Sequence, residues 1–442
     1  MKKLIFATAL ICCTAVFAGY KLELGVNKSD GVFKCGEKIV FSCKVLEDGK
    51  AVSGVEVRYK LMADNQRMVR GKFVSDGTWT KETKLDYPGW VRMDFSIYGK
   101  DGKIIEMDGT RYGKKIKVRN MGIGALTDPE KLLPVYPEPA DFDEFWAGVR
   151  KELDAVPVKA VREEFKGAIA KNVVCYDVKV DCAGGMPVSG YLCMPKNAKP
   201  KSCPAMLYYD GAGVRSAGKD SRMASNGVIT FNVNAHGIIN GKSPAFYDKL
   251  RKEKYMNYPH FGKENRDTFY FKGMYMRVMR SLDYVKSLPE WDGKHLIVCG
   301  GSQGGAQVFA ACALDKDVSY AVASVPAMSD HSGCLAKRDS GWPRLYKATK
   351  DGKPDNEAVA KAVAYYDNAY FARRVKCPIN VSTGLFDTTC VPTSVLAVYN
   401  SIPATTQKWL TIVPAGKHDA PHAPGSKRRN EYILNAKKAN KK

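Results

Sequence analysis

Leu296-Ile297-Val298-Cys299-Gly300-Gly301-Ser302-Gln303-Gly304-Gly305 is an apolar strand running into a glycine-framed serine, and the residues from Ala306 onward read as a helix. A serine in a Gly-x-Ser-x-Gly frame at such a junction sits on a sharp strand-to-helix turn at the top of a sheet. The glycines two positions to either side are needed because a larger side chain would collide with neighbouring backbone. The first amides of the following helix point at the same spot and favour negative charge there. Ser302 is therefore the candidate nucleophile of an α/β fold with a mainly parallel sheet.

The flanking sequence supplies the strands and helices that such a fold needs. Stretches 204–209, 227–233, 295–299, 320–325, 378–383 and 408–413 predict strands, several apolar throughout, as strands covered on both faces are. Stretches 270–288 and 391–400 predict helices, and 327–368, longer than a normal connection, predicts an insertion over the site.

A serine hydroxyl needs a base held by an acid, and in this fold they follow in the order Ser, Asp, His, each just past a later strand. Asp387, in Gly384-Leu385-Phe386-Asp387, and His418, in Ala415-Gly416-Lys417-His418, meet that requirement. Asp387 also suits a helix cap, and His422 competes with His418, but it stands further into the loop and behind Pro421. For the oxyanion, the amide of Gln303 is one donor and the loop Asp210-Gly211-Ala212-Gly213 offers the other, Ala212 ahead of Gly211.

Upstream, the pattern changes to period two. Val55, Val57 and Tyr59 interleave with Glu56, Arg58 and Lys60, and Val91, Met93, Phe95 and Ile97 with Arg92, Asp94 and Ser96. Turn sequences at Glu47-Asp48-Gly49-Lys50 and Lys100-Asp101-Gly102-Lys103 complete the expectation of a small Ig-like β-sandwich over 19–120. A proline-rich connector follows over 121–140, then the α/β domain over 141–442, opening with a helix capped by Asp141 with Glu144 in the capping-box position.

The first 18 residues read as a signal peptide: Lys2 and Lys3, an apolar run, and Val16-Phe17-Ala18 as a cleavage pattern. The expected location is secreted or periplasmic, without stable membrane insertion. Eleven of the 13 cysteines lie beyond that segment, with no paired metal-ligand spacing; Cys35 with Cys43 and Cys175 with Cys182 are candidate disulfides. The net charge of +23 is spread along the chain with no nucleic-acid motif, so a basic surface is expected rather than a nucleic-acid partner.

From Pro137-Glu138-Pro139-Ala140-Asp141-Phe142 to His418 the chain resembles the acetylxylan esterase and cephalosporin-C deacetylase family, carbohydrate esterase family 7. Gly301-Ser302-Gln303-Gly304-Gly305 and Gly384-Leu385-Phe386-Asp387-Thr388-Thr389-Cys390-Val391-Pro392 carry the resemblance most specifically. Arg266, Tyr270, Gly273 and 277–283 are similar to the family's helix before the nucleophile strand. The resemblance implies an α/β-hydrolase that removes acetyl groups from xylan or xylo-oligosaccharides, needs no metal or other cofactor, and often forms a homo-oligomer, a hexamer. The chain departs from the family where Arg-Gly-Gln is replaced by Ala235-His236-Gly237-Ile238 and where the oxyanion-loop tyrosine is replaced by Ala212. His236 and, in the insertion, Trp342 are then candidate substrate contacts, with core packing the other reading of Trp342. Another esterase or a peptidase of the same fold, or a non-catalytic carbohydrate-binding protein, are the competing functions.

Overall fold

Alternating apolar residues in the N-terminal third pair into two antiparallel sheets that close on each other. A computed structural model of the protein describes residues 19–64, 68–111, 114–419 and 423–440; the expected signal peptide and His422 lie outside them. One sheet is built on Tyr20–Val26, Ile39–Glu47 and Thr78–Thr83, the other on Met121–Thr127, Gly89–Tyr98, Glu56–Ala63 and Met68–Val74. Val91, Met93, Phe95 and Ile97 are fully buried between them, with Phe41, Cys43 and Val57. The Glu47 turn closes a hairpin in which Glu47 pairs with Lys50 and Leu46 with Ala51.

The sandwich runs further than expected. Met121–Thr127, expected within the connector, pairs antiparallel with Gly89–Tyr98, from Met121 opposite Phe95 to Thr127 opposite Gly89. Gly122 and Gly124 weaken the strand signal in the sequence, because glycine has no side chain to pack. The proline-rich stretch beyond it is extended and pinned: the Val135 amide donates to Ser332 Oγ at 2.9 Å, and the Tyr136 hydroxyl to Glu357 Oε1 at 2.9 Å.

The remainder is a nine-stranded sheet, in the spatial order 160–164, 173–180, 188–195, 229–233, 203–209, 291–301, 320–324, 379–384, 408–413. The first pairings are antiparallel. From Ile229–Val233 onward every pairing is parallel. Side chains alternate between two covered faces. Ala205, Leu207, Leu296 and Val298 pack with helices Phe142–Asp154, Tyr270–Lys286 and Gln303–Leu314, whereas Met206, Ile297 and Cys299 pack with Ile433 of helix Ala423–Ala439. This double cover explains the continuous apolar runs in the sequence.

Two local expectations fail for physical reasons. Asp141 precedes helix Phe142–Asp154, yet its side chain caps nothing; it is taken by the Arg266 guanidinium at 2.6 Å and by the Tyr365 hydroxyl. A charge-assisted bond to arginine outcompetes a neutral backbone amide for the same carboxylate. Neither candidate disulfide forms. Cys35, Cys43, Cys175 and Cys182 are all free thiols, and Cys175 stands directly opposite Cys193, also a free thiol, on the adjacent strand, in thiol–thiol contact with sulfur atoms 2.9 Å apart. Directly opposed residues of an antiparallel pair are brought together by sheet register, which sequence spacing does not reveal. Among the described residues no helix is long and apolar enough to cross a membrane.

Candidate active site

The strand Trp291–Gly301 ends one residue before Ser302, which takes φ 58° and ψ −123° and caps helix Gln303–Leu314. Such a backbone costs on the order of 1–3 kcal/mol and persists only where its surroundings enforce it. They do so here. The Ser302 amide donates to the Ser324 carbonyl at 2.9 Å and its carbonyl accepts from Ala327 at 2.9 Å. A Cβ at Gly300 would stand 2.4 Å from the Gly304 carbonyl oxygen, and one at Gly304 2.1 Å from that of Tyr209. Both glycines of the frame are thus sterically required, as the sequence predicted.

The acid and base candidates meet. Asp387 follows Ile379–Gly384, His418 follows Lys408–Val413, and the two loops are tied by Phe386 N–H to the Gly416 carbonyl at 2.8 Å. His418 Nδ1 lies 2.8 Å from Asp387 Oδ2. The other carboxylate oxygen accepts from the amides of Thr389 at 2.8 Å and Cys390 at 3.1 Å, and the Asp387 side chain is fully buried. With Nδ1 committed to the carboxylate, Nε2 is the nitrogen left for proton transfer, and the imidazole keeps part of its surface open.

The oxyanion loop flanks the serine. A Cβ at Gly211 would lie 3.7 Å from Ser302 Cβ, so Gly211 is the residue brought against the nucleophile, while Ala212 beside it is exposed. Gln307 Nε2 donates to the Asp210 carbonyl at 3.1 Å, locking this loop to the nucleophile helix. Burial pushes the Asp210 carboxyl up to about 6 against the pull of Arg215. Among the described residues no group of three or more histidine, cysteine or acidic side chains is arranged to hold a metal ion.

With a strained serine on a strand-to-helix turn and a histidine fixed by a buried aspartate in the order Ser, Asp, His, comparison with known proteins becomes specific. The family profile for acetyl xylan esterase (AXE1) matches residues 124–435. The chain belongs to the acetyl xylan esterase family. Acetyl esterase Axe7A of Xylanibacter ruminicola is 31% identical over 445 residues, covering 95% of this chain and 93% of its own. A solved acetyl xylan esterase from Paenibacillus sp. R4 superposes with a TM-score of 0.58 at 24% identity, over 69% of this chain and 98% of its own. Acetyl xylan esterase 1 from Thermoanaerobacterium sp. JW/SL YS485 gives 0.54 at 22% identity, over 69% and 97%. These two share the α/β-hydrolase fold with this member of the acetyl xylan esterase family, and the chain is a carboxylic ester hydrolase.

Within this family member, one of the two residues expected at the substrate is withdrawn into packing, and the other lies against the loop that carries Asp387. His236 is 1% exposed, enclosed by the rings of Tyr255 and Tyr258 at 4.7 Å each, with Nδ1 2.6 Å from the Tyr270 hydroxyl. Burial and the Arg277 charge hold its pKa down to about 3, so it is neutral and serves as packing rather than as a sugar contact. Trp342 is half-buried, 6.4 Å from the rings of Tyr258 and Phe271, and its amide donates to the Thr389 carbonyl at 2.9 Å.

Tyr258 is the residue that sequence reasoning missed. Its hydroxyl donates to Gln303 Oε1 at 2.5 Å, so the excursion between Val233 and Tyr270 reaches the side chain next to the nucleophile. Burial pushes the Tyr258 hydroxyl far above its ordinary range, which keeps it a donor. The same excursion carries His236 at its start, so the segment that departs from the family motif supports Gln303 through aromatic packing. The buried Cys390 thiol, likewise held protonated by burial, adjoins Ser302.

Proposed function

We propose that the protein is an exported serine carboxylesterase that removes acetyl groups from acetylated xylan or xylo-oligosaccharides through an acyl-enzyme intermediate. In this reading Ser302 attacks the acetyl carbonyl while His418 Nε2 takes its proton, and the imidazolium then gives that proton to the sugar oxygen as the ester bond breaks, leaving acetyl-Ser302 and a free sugar hydroxyl. Asp387 holds the imidazole tautomer and stabilises its positive charge. The amide of Gln303 and one from the Gly211-Ala212 loop, Gly211 being the nearer to the serine, take the oxyanion, and water then repeats the sequence to release acetate. The esterase domain spans 141–442, and the sandwich before it is Ig-like. The single observation that carries the reading is the 2.8 Å contact of His418 with a buried Asp387 in a family member whose Ser302 sits on a strained elbow.

Acetate release from acetylated xylan, acetylated xylo-oligosaccharides and aryl esters of increasing acyl length tests this directly. The wild type releases acetate and prefers acetyl to octanoyl esters and amides. Ser302→Ala loses on the order of a millionfold in turnover. Unchanged turnover in Ser302→Ala, or preference for long acyl chains or amides, refutes the proposal.

A further inference from the structure

Strand Met121–Thr127 serves two partners with its two faces. Ile123 and Ala125 enter the sandwich core, while Gly122, Gly124 and Leu126 face the hydrolase domain. A Cβ at Gly124 would stand 2.1 Å from the Leu385 carbonyl oxygen, and one at Gly122 2.2 Å from the Phe386 ring. Glycine at both positions lets the strand lie directly on the loop that carries Asp387. The Leu385 carbonyl, which occupies the space a Gly124 side chain would need, accepts from the Trp90 indole N–H at 2.8 Å. Trp90 is itself fixed, its amide donating to Asp64 Oδ2 at 2.6 Å and its carbonyl accepting from the Asp64 amide at 3.0 Å.

The loop carrying His418 rests on the same strand. The Gly124 amide donates to the Pro414 carbonyl at 2.9 Å, and the Lys417 ammonium donates to the Asn120 carbonyl at 3.0 Å. Trp90, Leu126, Leu132, Leu385, Val391 and Leu396 form a buried apolar cluster across the domain boundary, separate from either domain's main core. The Asp387–His418 bond joins two different loops, so its geometry depends on a common support, and the sandwich is in contact with both.

We propose that the N-terminal sandwich is part of the catalytic apparatus, with Trp90 and Gly124 as positioning residues that hold the Asp387 and His418 loops in register. This rests on the triad reading above and gives the sandwich a role other than spacer or binding module. A displacement of about 1 Å in a catalytic pair costs on the order of a hundredfold in rate.

The test uses the full-length protein as wild type, Gly124→Ala, Trp90→Phe, Ser302→Ala and, as a sandwich-core control, Val57→Ala. Each is measured for kcat and KM on p-nitrophenyl acetate, pH-rate profile and melting temperature. Gly124→Ala is expected to lower kcat on the order of a hundredfold and Trp90→Phe about tenfold, with KM little changed. Both also alter the acidic limb of the pH profile, since the Asp387–His418 pair is the acceptor of the Ser302 proton. Val57→Ala lowers the melting temperature and leaves kcat and the pH limb in place. Folded Gly124→Ala and Trp90→Phe with wild-type kcat and pH limb overturn the proposal, as does an equal loss of kcat in Val57→Ala. Should Gly124→Ala fail to fold, Lys417→Met takes its place, with a several-fold fall in kcat expected and an unchanged kcat counting against the proposal. An inactive Ser302→Ala beside unaffected positioning variants refutes this proposal alone; an active Ser302→Ala refutes the triad and this proposal with it.

Discussion

Replacing Asp387 by asparagine changes one atom, and the surroundings dictate which way the new amide points. Oδ1 of Asp387 accepts from two backbone amides, Thr389 at 2.8 Å and Cys390 at 3.1 Å. An asparagine that turned its NH2 toward them would set donors against donors and lose two buried hydrogen bonds, at about 1–3 kcal/mol for each group left unpaired. The amide oxygen therefore stays in place and the NH2 takes the position of Oδ2, 2.8 Å from His418 Nδ1. Facing a donor, the neutral imidazole must accept at Nδ1 and carry its proton on Nε2. That nitrogen can then no longer take the proton of Ser302, and the negative charge that stabilised the imidazolium is gone as well. The expected loss in kcat is on the order of ten-thousandfold, about 5.5 kcal/mol of transition-state stabilisation. KM should change little and the melting temperature by only a few degrees, because shape and backbone bonds are retained. Initial rates on p-nitrophenyl acetate and acetate release, with circular dichroism melts, measure all three. A folded Asp387→Asn within about tenfold of wild-type kcat would refute the tautomer argument and the assignment of Asp387.

Tyr258→Phe removes the hydroxyl that donates to Gln303 Oε1 and leaves that buried acceptor unpaired. Thermal unfolding should show a loss of about 1–3 kcal/mol, with reduced kcat as Gln303 loosens beside the nucleophile. Wild-type stability and kcat would show that the contact holds nothing. Asp64 gives a pH-dependent prediction. Burial, and next the charge of Asp339, push its carboxyl from 3.8 up to about 7. The folded state therefore holds a proton that the unfolded state releases, and stability contributed by this group falls as pH rises between about 4 and 7 and is level above, a span of about 4 kcal/mol. Asp64→Asn, whose amide oxygen can still accept from the Trp90 amide, should match wild type near pH 4 and exceed it near pH 8 in denaturant titrations. A parallel pH dependence in the two proteins would locate the effect elsewhere.

The parts of this molecule that were legible in sequence share one property: their determinants lie close together along the chain. The Gly300 to Gly305 frame, the apolar strands before Asp387 and His418, and the period-two runs of the sandwich each state their conformation within a few residues. The chain order of serine, aspartate and histidine then follows from strands ending on one edge of a parallel sheet. The misreadings have the opposite character. Asp141 has the right residue type and spacing for a helix cap, but Arg266 claims its carboxylate. His236 stands in a loop near the site by sequence, yet Tyr255, Tyr258 and Tyr270 close around it and remove it from reach.

The sequence by itself determined the elbow, because Gly300 and Gly304 are required by backbone atoms only a few residues or one neighbouring strand away. It also determined the double-covered sheet, because apolar runs without alternation have few other ways to be buried. Only the tertiary structure decided what stands behind the triad. Trp90 and Leu385 are 295 residues apart in the chain. The two glycines that admit the acid loop look, in sequence, like a weak strand or a linker. Their meaning depends on the surface pressed against them, and that surface is assembled only when both domains have folded.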